Sequence, residues 1–280
     1  MAEQCKLMEL PEAVGKFVAD GATLAMEGFT HLIPFAAGHE IIRQGRRGLS
    51  LVRMTPDILY DQMIGAGCAR KVTFSWGGNP GVGSLHRFRD AVERQWPRPI
   101  EIEEHAHAGM AAAYAAGAAQ MPFGLCRGYL GTDLMKVNPN IELVTCPFTG
   151  ETIPAVPAIN PDVAIIHAQR ADRHGNVLIS GIVGVQKEAV MGSRHAIVTV
   201  EEIVDDLGDT MNRLVLPHWI VSAICLAPGG ARPSYAHGYY ARDNAAYLAW
   251  DAVAADRRRF ADWLRESVSP EAAAALEAMA

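Results

Sequence analysis

Several familiar chemical signatures are missing from this chain of 280 residues. No stretch approaches the roughly 18 uncharged apolar residues that a spanning helix needs, so no membrane segment is expected. The N-terminus MAEQCKLMEL has neither the basic start nor the continuous apolar run of a signal peptide. A soluble, cytoplasmic protein is the resulting expectation. There is no Gly-x-Ser-x-Gly elbow for a serine hydrolase, and no Gly-Lys-Ser/Thr to close a Walker A loop. Cysteine is sparse: Cys5, Cys68, Cys126, Cys146 and Cys225 are odd in number and widely spaced. They do not read as a disulfide framework or a zinc knuckle, and reduced thiols are the simple reading. A strong excess of one charge is lacking too. The formal net charge is −6 and spread along the chain, which gives no electrostatic reason to expect nucleic acid. The basic cluster Arg257, Arg258 and Arg259 reads as a solvated helix face or a partner contact, with an anion site as the alternative.

What is present is an alternation. Half of the residues are hydrophobic, ample for a large core. Pro11 opens a helix that ends near Gly21, ATLAMEGF reads as a strand, and FAAGHEIIRQG as a helix. LSLVRM, PDILYDQMIGAG, KVTFSW and SLHRFRDAVERQ continue as strand, helix, strand, helix. Ile100 to Glu104 reads as a short strand and His107 to Gln120 as a helix. Phe123 to Asn140 is less regular. IELVTC, DVAIIHAQ and HAIVTV are dense in Val and Ile and read as buried strands. ADRHGNVLISG reads as a turn with a hairpin or crossover, and HWIVSAICLAPGG as a further buried strand. No linker cuts the chain. The expected fold is one α/β domain over 1–280: a mostly parallel sheet, helices on both faces, and a helical C-terminal extension over 244–267.

Chemistry concentrates in a few places. Within FSWGGNPGVG, Gly77, Gly78, Gly81 and Gly83 permit close approach or positive φ, and Ser84 is a reasonable N-cap for the helix that follows. Such a loop exposes N–H groups to phosphate or to developing negative charge. A purely structural strand-to-helix turn is the competing reading. Asn79 either bonds its own backbone or presents an amide to a ligand carbonyl. Gly28, Phe29 and Thr30 fall at the C-terminal end of a predicted parallel strand, where open α/β sheets bind ligands. Phe29 reads equally as a packing residue, and Glu27 as a charged active-site group or, more simply, as the partner of Arg43, Arg46 or Arg53. In EEHAHAG an extended chain puts His105 and His107 on one side, and a helix starting between them separates them. No third ligand at supporting spacing argues for zinc, so no metal is expected. His107 reads as a hydrogen-bonding wall residue or a structural histidine. Cys126 and Cys146 follow apolar residues and read as structural thiols. HAQRADRHGN lines a site or forms a polar turn, and the tyrosine-rich SYAHGYYARDN suits an interface or a pocket rim. None of these stretches offers a convincing nucleophile beside the glycine loop.

EGFTHLIPFAAGHEIIRQG, LVRMTPDILYDQMIGAGCARKVTFSWGGNPGVGSLHRFRDAVE, NIELVTCPFTGE, DVAIIHAQRADRHGNVL and PSYAHGYYARDN, in this order, resemble the A subunits of family I CoA-transferases. The resemblance spans residues 8 to about 265 and is strongest to the branch that moves CoA from succinyl-CoA to 3-oxoadipate. Relatives handle acetoacetate, glutaconate or other short acids. It implies an enzyme with no permanently bound cofactor, a CoA thioester as substrate, and a homologous B subunit that carries the catalytic glutamate. It places this chain's part of the cleft at Gly28, Phe29 and Thr30, at Gly77, Gly78, Asn79 and Gly81, and at His107. Ring-cleaving hydrolases of steroid breakdown place a glutamate near the position of His107, so the histidine favours transfer over hydrolysis. Because the acids are dicarboxylates, Arg53, Arg87, Arg89 and Arg127 are candidate cations, with Arg87 closest in sequence to the glycine loop. Arg87 reads equally as the partner of Asp90 or Glu93. Other readings of the chain are an acyl-CoA hydrolase, another short-acid transferase, or a structural subunit without chemistry of its own.

Overall fold

The computed structural model describes residues 6–279; Cys5 and the first residues of the N-terminal reading lie outside them. The chain alternates as α1 (Leu10–Phe17), β1 (Thr23–Glu27), α2 (Phe35–Arg43), β2 (Leu49–Val52), α3 (Ile58–Gly65), β3 (Ala69–Phe74), α4 (His86–Arg94), β4 (Glu101–Glu104) and α5 (His107–Ala118). Then come β5 (Phe123–Leu125), α6 (Leu134–Val137), β6 (Glu142–Thr145), β7 (Thr152–Pro157), β8 (Val163–Asp172), β9 (Val177–Ile179), α7 (Gln186–Gly192), β10 (His195–Val204), β11 (Leu214–Leu216) and β12 (Ala223–Leu226). Helices α8 (Asn244–Ala254), α9 (Arg257–Ser267) and α10 (Pro270–Glu277) close the chain.

Among the described residues the main sheet has nine strands. It runs parallel along β12–β10–β8–β1–β2–β3–β4. The second half of β8 stays parallel with β10 and on its other edge pairs antiparallel with β9, and β9 with β11, so ADRHGNVLISG forms the hairpin. Alternation sorts the strand residues onto two faces. Leu24, Met26, Leu49, Leu51 and Val72 face a core shared with Ile41, Leu59 and Met63 of α2 and α3. Ala25, Val52, Ala164 and Ile166 face Met110 and Tyr114 of α5 and Val190 of α7. Toward β4 that second face turns polar, and Lys71 bridges Glu101 and Glu103 at 2.7 Å each.

Two expectations change here, and the helical C-terminal extension gains detail. IELVTC is not a buried central strand: β6 is largely exposed and joins β5 and β7 in a separate antiparallel sheet. Leu143 is exposed there while Ile141 is buried, and apolar, β-branched density alone cannot distinguish such a strand from a core one. The helical stretch 244–267 is two helices with a third after it. Tyr247, Trp250, Phe260, Leu264 and Leu276 bury these C-terminal helices in the same core as α2 and α3. Ser84 does not cap α4, whose N-cap residue Leu85 makes no side-chain bond. Asp61 of α3 does that work from a distance: its Oδ1 accepts from the Phe88 amide at 2.8 Å, while Oδ2 accepts from Trp250 Nε1 at 3.0 Å. Among the described residues no helix is long and apolar enough to cross a membrane.

Candidate active site

A cavity of about 300 Å³ opens at the C-terminal ends of β1, β2 and β3, lined by Phe29, Thr30, Ile33, Arg53, Thr55, Asp57, Trp76, Pro80 and His107. Ligands bind at this edge of open parallel sheets because the loops leaving adjacent strands diverge there.

The loop after β1 is bent tightly. Thr30 and Leu32 both adopt left-handed φ, 57° and 53°, although neither is glycine. The loop doubles back over Gly28 so closely that a Cβ there would lie 2.7 Å from the Leu32 carbonyl oxygen and 2.8 Å from that of His31. The segment 230–237 holds this shape. Leu32 N donates to Tyr235 O at 3.0 Å, Ile33 N to Ser234 Oγ at 3.2 Å, and Ala36 N to Gly230 O at 2.9 Å. Tyr235 also packs on His31, ring centroids 4.5 Å apart. Among the described residues nothing accepts from the amides of Phe29 and Thr30. They remain available as donors at the cavity wall.

Beneath the loop lies a buried polar cluster. Arg53 donates to Asp57 Oδ1 and to Gly28 O, both at 2.8 Å. Glu27 accepts from Tyr114 Oη at 2.7 Å and from the Met54 amide at 3.0 Å. Burial lifts the Glu27 carboxyl above its ordinary range, against the opposing pull of the Arg53 guanidinium and of these two donors. Arg53 Nε and Asp57 Oδ2 are buried without a hydrogen-bond partner. The pair is therefore incompletely satisfied where it borders the cavity.

WGGNPGVG is a folded scaffold more than an open cradle. The Trp76 amide bonds Met54 O, that of Gly78 bonds Pro56 O, and that of Asn79 bonds Gly83 O. Val82 and Gly83 both donate back to Asn79 O. The Asn79 side chain is buried and its Nδ2 donates to Tyr247 O at 2.8 Å, an assignment that ties the loop to α8. The strip contributes Trp76 and Pro80 to the cavity; Gly77, Gly78, Asn79 and Gly81 are not among its lining residues. Arg87 does not line the cavity. It is buried, paired with Asp90 at 3.1 Å and set between Trp96 and Phe260. Arg89 pairs with Glu93 and Arg127 with Glu151 at the surface. Of the four candidate arginines only Arg53 reaches the cavity.

The two histidines of EEHAHAG separate because α5 begins at His107. His105 turns inward, with Nδ1 2.9 Å from Tyr129 Oη and Nε2 2.8 Å from Glu103 Oε1. His107 is exposed and lines the cavity. Among the described residues no cluster of His, Cys, Asp or Glu could hold a metal ion. Cys126 is buried and Cys146 half-buried in the β6–β7 turn, both free thiols. Trp76, Thr55, Asp57 and Tyr114 escaped the sequence reading. The first three lie just beyond strand ends, a usable signal, whereas Tyr114 sits unmarked in an alanine-rich helix.

A family model for coenzyme A transferase matches residues 7–227. The A subunit of 3-oxoadipate CoA-transferase from Pseudomonas knackmussii is 64% identical over 263 residues, which cover 94% of this chain and 93% of that protein. The A subunit of glutaconate CoA-transferase from Acidaminococcus fermentans is 31% identical, covering 94% and 88%. The crystal structure of glutaconate coenzyme A-transferase from that organism superposes with a TM-score of 0.87 at 29% identity, over 96% of this chain and 92% of that one. With the sheet, the cavity at its strand ends and these likenesses in agreement, the chain belongs to the family I coenzyme A transferases.

Proposed function

We propose that this chain is the A subunit of a cytoplasmic enzyme that moves CoA from succinyl-CoA to 3-oxoadipate, and that a homologous B subunit supplies the catalytic glutamate. The observation that carries the substrate is the 64% identity, over nearly the whole of both chains, to a protein of that name. The need for a partner is supported by the cavity itself. Its acidic lining residue, Asp57, is tied to Arg53, and Glu27 is enclosed by Tyr114 and the Met54 amide. Both carboxylates are buried within the fold, which favours a nucleophile supplied by the partner.

The partner's glutamate carboxylate attacks the succinyl thioester carbonyl, expels CoA thiolate and forms a mixed anhydride. The thiolate attacks the glutamyl carbonyl of that anhydride, giving a glutamyl-CoA thioester and releasing succinate. A carboxylate of 3-oxoadipate then attacks this thioester and expels the thiolate again. The thiolate finally attacks the 3-oxoadipyl carbonyl, which yields 3-oxoadipyl-CoA and restores the glutamate. Each attack develops an oxyanion, which aimed N–H donors stabilise most in a site shielded from water. In this chain the unbonded amides of Phe29 and Thr30 suit that role, and His107 suits a polar contact to the acyl group. Gly28 lets the loop close, Arg53 lends positive potential to the cavity floor, and Gly77, Gly78, Asn79 and Gly81 support the Trp76 wall.

The test is to assay succinyl-CoA with 3-oxoadipate, using the chain alone and then with its B-type partner. Formation of 3-oxoadipyl-CoA only in the mixture is expected. Full activity of the chain alone would remove the partner glutamate from the mechanism. Release of CoA without acyl transfer would make the enzyme a hydrolase.

A further inference from the structure

A second cavity, about 480 Å³, lies against the strand pair β8–β9 and the segment 237–239. Arg170, Arg213, His237 and Tyr239 line it, with Glu202 as the acidic residue among its walls. Arg170 Nε donates to Glu202 Oε2 at 3.1 Å and to Tyr239 Oη at 3.2 Å. Arg213 enters no ion pair among the described residues. Two guanidinium groups thus face one carboxylate, and the cavity keeps an uncompensated cation.

The walls are held from both sides. Gln169 is buried; its Nε2 donates to Ser180 O at 2.9 Å and to His237 O at 3.4 Å, and its Oε1 accepts from the Ser180 amide at 3.0 Å. On the opposite side the same segments grip the loop after β1. The His237 amide donates to His31 Nε2 at 3.0 Å, which leaves His31 Nδ1 to donate to Ile182 O at 3.3 Å. Gly181 abuts the His31 ring, where an added Cβ would come within 2.9 Å. The basic cavity and the active-site loop therefore share a wall.

We propose that this cavity is a phosphate-binding subsite, occupied by a phosphate group of the CoA ester's nucleotide end or by the free ion. Guanidinium groups match phosphate oxygens through paired N–H bonds. Glu202 competes with the anion for Arg170, so removing its charge strengthens binding while removing Arg213 weakens it.

The experiment is calorimetric titration of the full chain, and of Arg213→Gln and Glu202→Gln, with CoA, dephospho-CoA and inorganic phosphate. The expected result is binding that falls roughly tenfold in Arg213→Gln and tightens in Glu202→Gln. Weaker binding of dephospho-CoA than of CoA assigns the site to the nucleotide end, whereas equal affinity for CoA and inorganic phosphate assigns it to the free ion. No binding of either anion, or affinities unchanged in both variants, overturns the proposal. The CoA arm rests on the transferase reading, but titration needs no transfer, so a silent titration and a failed 3-oxoadipate assay are separate results.

Discussion

Tyr114 donates its hydroxyl to Glu27 Oε1 at 2.7 Å, one residue before the glycine on which the loop after β1 turns. A side chain from the middle of α5 thereby fixes the end of β1. Tyr114→Phe leaves a buried carboxyl short of one donor, and we expect a loss of about 1–3 kcal/mol in urea unfolding. In the A–B complex kcat should fall while KM for the CoA ester moves little, because the loop shifts without losing a substrate contact. Unchanged stability and kcat would show that Glu27 does not depend on this bond.

Gly28 has no room for a side chain, since backbone oxygens stand on the vector its Cβ would take. Gly28→Ala must open the loop, and backbone cannot rotate aside as a flexible side chain can. Turnover should fall at least tenfold, at a stability cost of about 1–3 kcal/mol. Wild-type turnover in this variant would show that the closed loop is not needed for catalysis.

His107 stands exposed at the first turn of α5 and lines the cavity. His107→Ala should leave the melting temperature within about 2 °C of wild type and lower turnover in the complex severalfold. Kinetics identical to wild type would assign the residue to structure alone.

Asp61 gives a pH signature. Burial pushes its carboxyl up from 3.8 to about 6, despite the bonds from the Phe88 amide and Trp250. In the folded protein Asp61 therefore keeps its proton up to about pH 6, whereas the unfolded chain releases it near 3.8. The folded state binds more protons between these values, and stability declines as pH rises through that window, by roughly 2–3 kcal/mol in all. Asp61→Asn abolishes this contribution and also loses a bond, giving a flatter and lower curve. Denaturant midpoints measured from about pH 4 to pH 7 check it; a variant curve parallel to wild type would place the titration elsewhere.

The alternation that builds β1–α2–β2–α3–β3–α4 was legible because each element carries its own period and its own punctuation, such as Pro11, Gly28 after β1 and Gly77 after β3. The same order of motifs made the family readable, and strand ends alone pointed to Phe29 and Thr30. What the chain could not disclose is what each polar group meets. Asn79 and Arg87, the two polar candidates at the glycine strip, are consumed by partners 168 and 3 residues away, Tyr247 O and Asp90. The cap of α4 comes from Asp61 rather than the adjacent Ser84, and IELVTC joined a peripheral sheet rather than the core. Local sequence determines backbone preference and which side chains repeat on one face, because those depend on near neighbours. Tertiary structure decided which donors remained free, because hydrogen-bond satisfaction is settled by groups that only the folded chain brings together. By that criterion the amides of Phe29 and Thr30 stand open at the cavity, and most of those in WGGNPGVG do not.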